Sequence, residues 1–193
     1  MIDINKNKYF IGNKSTLKET SKYEPKKEGD SSKYNTEYMT ESLLEVINFD
    51  KVKDVYTKEI NPGEVPNSND ALYINGNDIF FIEFKSGEIT NSEKFNIRLK
   101  MFDSLWMFTD IIQQTVNFTR TNVKYILVYN KQKNSHIINT SPEKDAIHRH
   151  VTLKAEDRLV AFGLKKFEKL YINEIYTYTQ EEFEEEFVKR YSS

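Results

Sequence analysis

The pair Asn75-Gly76 is the feature that most constrains the fold of this chain. It separates two runs rich in β-branched and aromatic residues, 70–74 and 77–85, and both of its positions tolerate positive φ angles. The sequence therefore predicts a β-hairpin with a two-residue turn. A turn at Gly76-Asn77 instead would shift the pairing but leave every side chain on the same face, whereas a three-residue turn would reverse the faces.

Two charged residues interrupt the second strand, which reads Ile79-Phe80-Phe81-Ile82-Glu83-Phe84-Lys85. Strand alternation places Glu83 and Lys85 on one face. Hairpin pairing puts Asp70 on that face as well, diagonally from Glu83 and roughly 7–8 Å away at the backbone. A buried charge costs several kcal/mol unless it is paired, so these side chains need partners, a metal ion or a cleft.

The rest of the chain predicts an α/β fold, a mixed central sheet flanked by helices. Before the hairpin we expect a strand over 8–11, a polar arm over 13–35, a helix over 36–47 and a strand over 52–60. After it we expect a buried strand over 123–129, a polar loop over 131–144, a mostly helical segment over 145–169, a strand over 171–179 and a final helix.

A long helix should follow Thr90-Asn91-Ser92-Glu93, which has the form of a capping box. Helical spacing gives it a buried stripe that consists of Phe95, Leu99, Phe102, Leu105, Trp106, Thr109, Ile112 and Val116. The last helix should begin in the same way at Thr179 and bury Phe183, Phe187 and Tyr191.

Composition limits the classes of protein to which the chain can belong. It has 193 residues, of which 38% are hydrophobic, which suits one sizeable domain. It contains no cysteine, which excludes disulfides, thiolate nucleophiles and Cys-ligated zinc. There is no signal peptide and no membrane-spanning stretch, so a cytoplasmic protein is the expectation. The net charge of −2 argues against binding of nucleic acid by bulk positive charge.

Two convergent carboxylates beside a lysine match the needs of phosphodiester hydrolysis. Oxygen ligands suit Mg²⁺ or Mn²⁺, which lowers the pKa of a bound water and neutralises charge on the scissile phosphate. The lysine orients the water or stabilises the developing negative charge.

The residues Asp70, Glu83-Phe84-Lys85 and the order helix, strand, hairpin, strand, long helix, strand resemble the PD-(D/E)XK nuclease superfamily over about residues 36–130. The resemblance implies a restriction-endonuclease-like core in which Asp70 and Glu83 bind the metal and Lys85 assists the attacking water. It also implies a third acid on the preceding helix, for which Glu41 is the best match and Glu45 the substitute. Asn69 stands where the superfamily commonly has proline.

The resemblance implies a metal-dependent endonuclease acting on DNA or RNA, with residues 1–35 as an N-terminal strand and arm and 36–193 as one nuclease domain. A protein partner or a homodimer is compatible with the near-zero net charge. Lys94, Arg98 and Lys100 on the long helix are candidates to line a substrate groove, although a charged outer face explains them equally well.

Other interpretations stay open. Glu83 and Lys85 could be an ion pair on an edge strand, and Glu41 and Glu45 a solvated helix face. His148 and His150 share a face only in an extended segment, and we interpret them as surface residues. The competing class is a binding module that keeps the nuclease fold without its chemistry, with the acidic tail 181–186 engaging a basic partner.

Overall fold

The computed structural model of the chain describes residues 7–24, 36–137 and 160–192. The strands are β1 (Lys14–Thr16), β2 (Lys22–Tyr23), β3 (Glu37–Tyr38), β4 (Glu45–Asn48), β5 (Ala71–Asn75), β6 (Asp78–Lys85), β7 (Val123–Tyr129) and β8 (Glu174–Thr179). The helices are α1 (Lys8–Ile11), α2 (Leu17–Thr20), α3 (Phe49–Ile60), α4 (Asn91–Ile111) and α5 (Val116–Asn122). A C-terminal helix runs through Gln180–Phe183, a π-helical stretch Glu184–Val188 and a last turn Lys189–Tyr191.

A six-stranded mixed sheet forms the centre, in the order β1-β4-β5-β6-β7-β8. The pairs from β1 to β6 are antiparallel, and β7 and β8 extend the sheet in parallel with β6. The expected mixed sheet flanked by helices is therefore confirmed at the level of fold class.

The predicted hairpin is present, with its turn at Gly76-Asn77, the alternative that preserved the faces. Asn75 pairs with Asp78, and Gly76 has a φ of +61°, which glycine adopts without a steric penalty. The last pair is Ala71 with Ile82, so Asp70 comes next and faces Glu83 directly rather than diagonally.

Each face of the sheet carries its own hydrophobic cluster. On one side Leu72, Phe81 and Leu127 pack against α3 and α4. On the other side Phe80 and Ile82 pack with α2 and the C-terminal helix. Side chains alternate between the two faces of a strand, so Glu83 points away from the face of Phe80 and Ile82 and lies on the α4 side of the sheet.

The N-cap of α4 at Thr90 is confirmed, but the Glu93 carboxylate contacts Lys85 and Asn96 instead of completing the capping box, and the buried stripe is wrong in part. The Thr90 side chain accepts a hydrogen bond from the Glu93 backbone N–H, as a helix N-cap does. Phe95 and Trp106, however, are 58% and 77% exposed. The buried positions are instead Ile97, Met101, Ser104, Leu105, Met107 and Phe108.

The region before the hairpin differs most from expectation. The strand expected over 8–11 is the short helix α1, and part of the polar arm forms β1 and α2, which pack on the sheet. The helix expected over 36–47 is wrong, since this segment holds β3, a loop and β4. The strand expected over 52–60 is wrong as well, because α3 covers it. The division into an arm and a domain at residue 35 stays a prediction.

The last strand and the capped last helix agree with expectation, except that Tyr191 is only partly buried. Both hydrogen bonds of the predicted capping box at Thr179 and Glu182 are present, and Phe183 and Phe187 are buried. The helical segment expected over 145–169 lies mostly outside the described residues, as do His148 and His150; its described end contains a 3₁₀ turn, Lys165–Phe167. In the described ranges no helix has the length and apolarity needed to cross a membrane.

Candidate functional site

The three residues of the predicted motif meet at one end of the hairpin. Asp70 lies immediately before β5, and Glu83 and Lys85 are among the last three residues of β6. Since β6 lies between β5 and β7, the edge position expected for the ion pair of Glu83 and Lys85 is wrong, although the ion pair itself is present. The motif sits in the middle of the sheet, beneath α4.

A line of alternating charges crosses this end of the sheet. The Lys100 ammonium, from α4, lies 2.7 Å from Glu83 Oε1 and 3.3 Å from Asp70 Oδ1. Lys85 Nζ lies 3.3 Å from the same Glu83 oxygen and 3.0 Å from Glu93 Oε2. Each lysine therefore bridges two carboxylates, and Glu83 is shared by both.

The two facing carboxyl groups are held in an environment that disfavours their charge. Glu83 is fully buried, and the Asp70 side chain is only 16% exposed. Burial, and after it the negative charge of Asp70, raise the pKa of Glu83 to about 8 against the opposing effects of Lys100 and Lys85. Burial also raises the pKa of Asp70, although Lys100 and a hydrogen bond from the Phe84 backbone N–H oppose it.

The lysine between the carboxylates is stabilised in its charged form. Burial lowers the pKa of Lys100, but the charges of Glu83 and Asp70 outweigh it, and the net shift is upward. At the other end of the line, burial raises the pKa of Glu93, but its contacts with Lys85 outweigh burial and lower that pKa overall. The site thus has fixed cations and two carboxyl groups that repel each other.

Four buried polar atoms in this region lack a hydrogen-bond partner within the described residues. They are Glu83 Oε2, the hydroxyl of Tyr125, whose side chain is fully buried in β7, and the side-chain Oδ1 and Nδ2 of Asn69, which precedes Asp70. Burial, followed by the charges of Glu83 and Asp70, raises the pKa of Tyr125 well above its usual value. An unpartnered buried carboxylate oxygen is costly, and it is the kind of atom that ligates a cation.

Asp50 is a further acid at the site, and it was missed by the sequence reasoning. The Phe49 N–H donates to Asp70 O at 3.2 Å, which places the first turn of α3 next to Asp70. Asp50 contributes to the upward pKa shifts of Asp70 and Lys100 and accepts a hydrogen bond from Ser68. The available signal was Asn48, whose side chain caps the helix at the Lys51 N–H.

The structure does not bring the predicted third acid to the pair. Glu41 lies on an exposed loop rather than a helix and pairs with Lys18 at 2.6 Å. Its substitute Glu45 is in β4, where the register carries it away from the Asp70 end of β5, and it pairs with Lys14. The helical spacing that suggested both residues does not exist in this segment.

Side chains from distant parts of the chain hold the site in place. Asp103 and Ser104 of α4 accept hydrogen bonds from the backbone N–H groups of Asn67 and Asn69, which fixes the approach to Asp70. Buried Asn134 accepts from the Ile89 N–H and donates to Gly87 O, which fixes the loop between β6 and α4. These anchors position the carboxylates relative to Lys100.

The carboxylate oxygens of the site suit a hard divalent cation, although in the structure a lysine side chain balances their charge. In residues 7–24, 36–137 and 160–192, no three acidic or histidine side chains form a ready-made metal-binding cluster. The pair nevertheless offers carboxylate oxygens, one of them unpartnered, and Lys100 stands between them as a monovalent cation. These are the ligand atoms that Mg²⁺ and Mn²⁺ prefer.

Comparison with known proteins adds no relative. No protein-family model, no curated protein and no solved structure matches this chain. The functional argument therefore depends on the chemistry of the site.

Proposed function

We propose that the chain is a metal-dependent nuclease with a PD-(D/E)XK-type core that hydrolyses phosphodiester bonds in DNA or RNA. The observation that carries the proposal is Glu83, a fully buried carboxylate on a central strand, which faces Asp70 and keeps one oxygen without a partner in the described structure. Two facing carboxyl groups in the interior repel each other, and a bound divalent cation would offset that repulsion.

The order of elements supports the same proposal. A helix (α3) is followed by the hairpin of β5 and β6, the long helix α4 and the parallel strand β7. From the hairpin onward this order is the one that the sequence resemblance implies, whereas β4 and α3 replace the helix and the strand implied before the hairpin. A cytoplasmic location and a nucleic-acid substrate are parts of the proposal.

Each residue of the site has a role in this proposal. Asp70 and Glu83 would hold Mg²⁺ or Mn²⁺, and Asp50 replaces Glu41 as the candidate third acid. The ion, when bound, supplies a water of lowered pKa and positive charge for the phosphate. Lys85 and Lys100, both within hydrogen-bonding reach of Glu83, orient the water and stabilise the negative charge that develops on the phosphate.

Cleavage of DNA and RNA substrate panels tests this function. We expect activity with Mg²⁺ or Mn²⁺ and none with a chelator. Glu83→Gln and Asp70→Asn should abolish cleavage, because each removes a ligand charge at nearly constant volume. Glu88→Gln is the matched control, since Glu88 is an exposed acid in the loop after β6 and should leave cleavage unchanged.

Activity that survives in Glu83→Gln or in chelator would contradict the mechanism. Loss of activity in Glu88→Gln as strong as in Glu83→Gln would show that the effect is not specific to the facing pair. Circular dichroism of all variants separates loss of chemistry from loss of fold.

A binding module that keeps the fold without the chemistry is the second candidate. The observation that favours it is Lys100, which already compensates the charge of both carboxylates without any metal. The acidic tail is a weaker support, because Glu182 completes a capping box and Glu184 accepts a hydrogen bond from Thr40. This candidate predicts that partner binding survives Glu83→Gln.

A further inference from the structure

The ammonium of Lys100 lies between the two facing carboxyl groups, where an ion that bridges them would also bind. It is 2.7 Å from Glu83 Oε1 and 3.3 Å from Asp70 Oδ1, so one cation contacts both acids. Lys85 contacts the same Glu83 oxygen at 3.3 Å, but its second partner is Glu93 rather than Asp70. Within the described residues, Lys100 is therefore the cation that joins the pair.

The two oxygens of Asp70 have different partners. Oδ2 accepts a hydrogen bond from the Phe84 backbone N–H at 2.6 Å, and this donor is fixed in β6. Oδ1 instead accepts from the Lys100 ammonium, which belongs to a side chain and can move. An ion that takes Asp70 as a ligand is therefore expected at Oδ1, in place of the ammonium.

The two oxygens of Glu83 are divided in a similar way. Oε1 contacts both lysines, whereas Oε2 has no hydrogen-bond partner among the described residues. An ion held by Glu83 Oε2 and Asp70 Oδ1 leaves Lys85 in its contacts with Glu83 and Glu93. Lys100, in contrast, has to give up Asp70, because two cations on one oxygen repel each other strongly.

The Lys100 side chain has room to leave the pair. It is 25% exposed, although the Glu83 side chain that it contacts is fully buried. A lysine has a flexible four-carbon stem, so rotation of the side chain alone carries the ammonium towards solvent. The helix can stay in place, since Ser104, one turn after Lys100, accepts a hydrogen bond from the Asn69 N–H.

We propose that Lys100 is a tethered competitor of the metal, and that Mg²⁺ or Mn²⁺ enters the site by displacing its ammonium from Asp70 and Glu83. The inference rests on the proposed function for the identity of the ion. The contact is autoinhibitory, because binding of the ion has to break two ion pairs that the protein makes with itself. Displacement also frees Lys100 for the role on the phosphate that the proposed function gives it.

Chemical labelling of the full chain follows the Lys100 amine directly. The wild type is treated briefly with an amine-acetylating ester in Mn²⁺ or in EDTA at one pH, and acetylation of each lysine is measured by peptide mass spectrometry. Labelling of Lys100 should rise severalfold in Mn²⁺, because the displaced amine loses both carboxylate partners. Lys85, which keeps Glu93, and the exposed Lys22 on β2 should react equally in both solutions.

Asp70→Asn is the matched control for this labelling. It removes the charge of one ligand at nearly constant volume, so Mn²⁺ should no longer change the labelling of Lys100. An increase that persists in this variant would mean that Mn²⁺ acts elsewhere on the protein.

The Mn²⁺ affinity of lysine variants, measured by isothermal titration calorimetry, tests the competition. Lys100→Met should bind Mn²⁺ roughly 10- to 100-fold more tightly than the wild type, because hydrogen bonds from an ammonium to the carboxylates no longer have to be broken. Lys85→Met removes a cation from the same Glu83 oxygen without freeing Asp70 and should gain clearly less. Lys22→Met should bind like the wild type. If Lys100→Met does not fold, the labelling of the wild type decides.

Three results would overturn the inference. They are unchanged or slower labelling of Lys100 when the wild type binds Mn²⁺, an affinity of Lys100→Met no higher than that of the wild type, and an equal gain in Lys85→Met, which would assign the effect to net charge.

Failure of the nuclease proposal gives a different pattern. Mn²⁺ binding and cleavage by the wild type with unchanged labelling of Lys100 retain the nuclease and reject the competitor. Tighter Mn²⁺ binding in Lys100→Met together with faster labelling, but without cleavage of DNA or RNA, retains the competitor and rejects the nuclease. Absence of Mn²⁺ binding in both proteins rejects both.

Discussion

Replacement of Glu83 by glutamine should change how the stability of the protein depends on pH. In the folded chain the pKa of Glu83 is about 8, because the side chain is buried beside Asp70, whereas the ordinary value is 4.5. Between these values the folded state holds a proton that the unfolded state has released. The free energy of unfolding of the wild type therefore falls as the pH rises through this window.

The size of the effect follows from the shift. The slope reaches at most about 1.4 kcal/mol per pH unit, and the loss between pH 5 and pH 8 approaches about 4 kcal/mol. Glutamine keeps the shape of the side chain but has no proton to lose. The difference in stability between wild type and Glu83→Gln should therefore decrease steadily from pH 5 to pH 8.

Thermal unfolding in EDTA at pH 5, 6, 7 and 8 measures this difference. For a chain of this size 1 kcal/mol corresponds to about 2–4 °C, so the wild type should lose roughly 3–5 °C per pH unit relative to the variant. Glu88→Gln, at an exposed position, should follow the wild type. Parallel curves for wild type and Glu83→Gln would refute the reasoning, because they would mean that Glu83 is already ionised in the folded state at pH 5.

Two further substitutions test the supports of the site. Lys100→Met removes the ammonium between Asp70 and Glu83. It should lower the free energy of unfolding by about 2–4 kcal/mol at pH 8 and by less at pH 5, where a protonated Glu83 needs no counter-ion. An equal loss at both pH values, measured by urea titration, would contradict this. Asn134→Ala removes three hydrogen bonds from a fully buried amide and should lower the melting temperature by roughly 5–10 °C. The control Asn117→Ala, at an exposed position, should change the melting temperature little. Similar melting temperatures for the two variants would contradict the anchoring role of Asn134.

The parts of the fold that were predicted correctly depend on local signals. The turn at Gly76, the apolar run of β7 and the caps at Thr90 and Thr179 are each set by neighbouring residues. The placement of Asp70 with Glu83 also followed from the sequence, because strand alternation and a two-residue turn fix which side chains share a face.

The errors arise where two periodicities compete. The residues of α3 alternate in polarity over a short span, which suggested a strand, although the side chain of Asn48 caps a helix there. In α4 apolar residues occur on more than one side, and only the packing of the sheet decides that Met101 is buried and Trp106 exposed. Nothing local distinguishes these two stripes.

The residues that contact the site could not be predicted from the sequence, for a different reason. Lys100 approaches Glu83 across 17 positions of sequence, and Asn134 reaches Ile89 across 45. Such contacts depend on the relative placement of α4, β6 and the loop after β7. The candidate third acid was misplaced for a local reason, since the position of Asp50 depends on where α3 begins.

Thermal unfolding with and without millimolar Mn²⁺ tests most directly the claim that Asp70 and Glu83 form a cation site. A ligand that binds only the folded state at a hundredfold excess over its Kd adds about 2.7 kcal/mol, or roughly 5–10 °C here. We predict this rise in the wild type and in Glu88→Gln, and no rise in Asp70→Asn or Glu83→Gln. An unchanged melting temperature in the wild type, or an equal rise in all four proteins, would contradict the account.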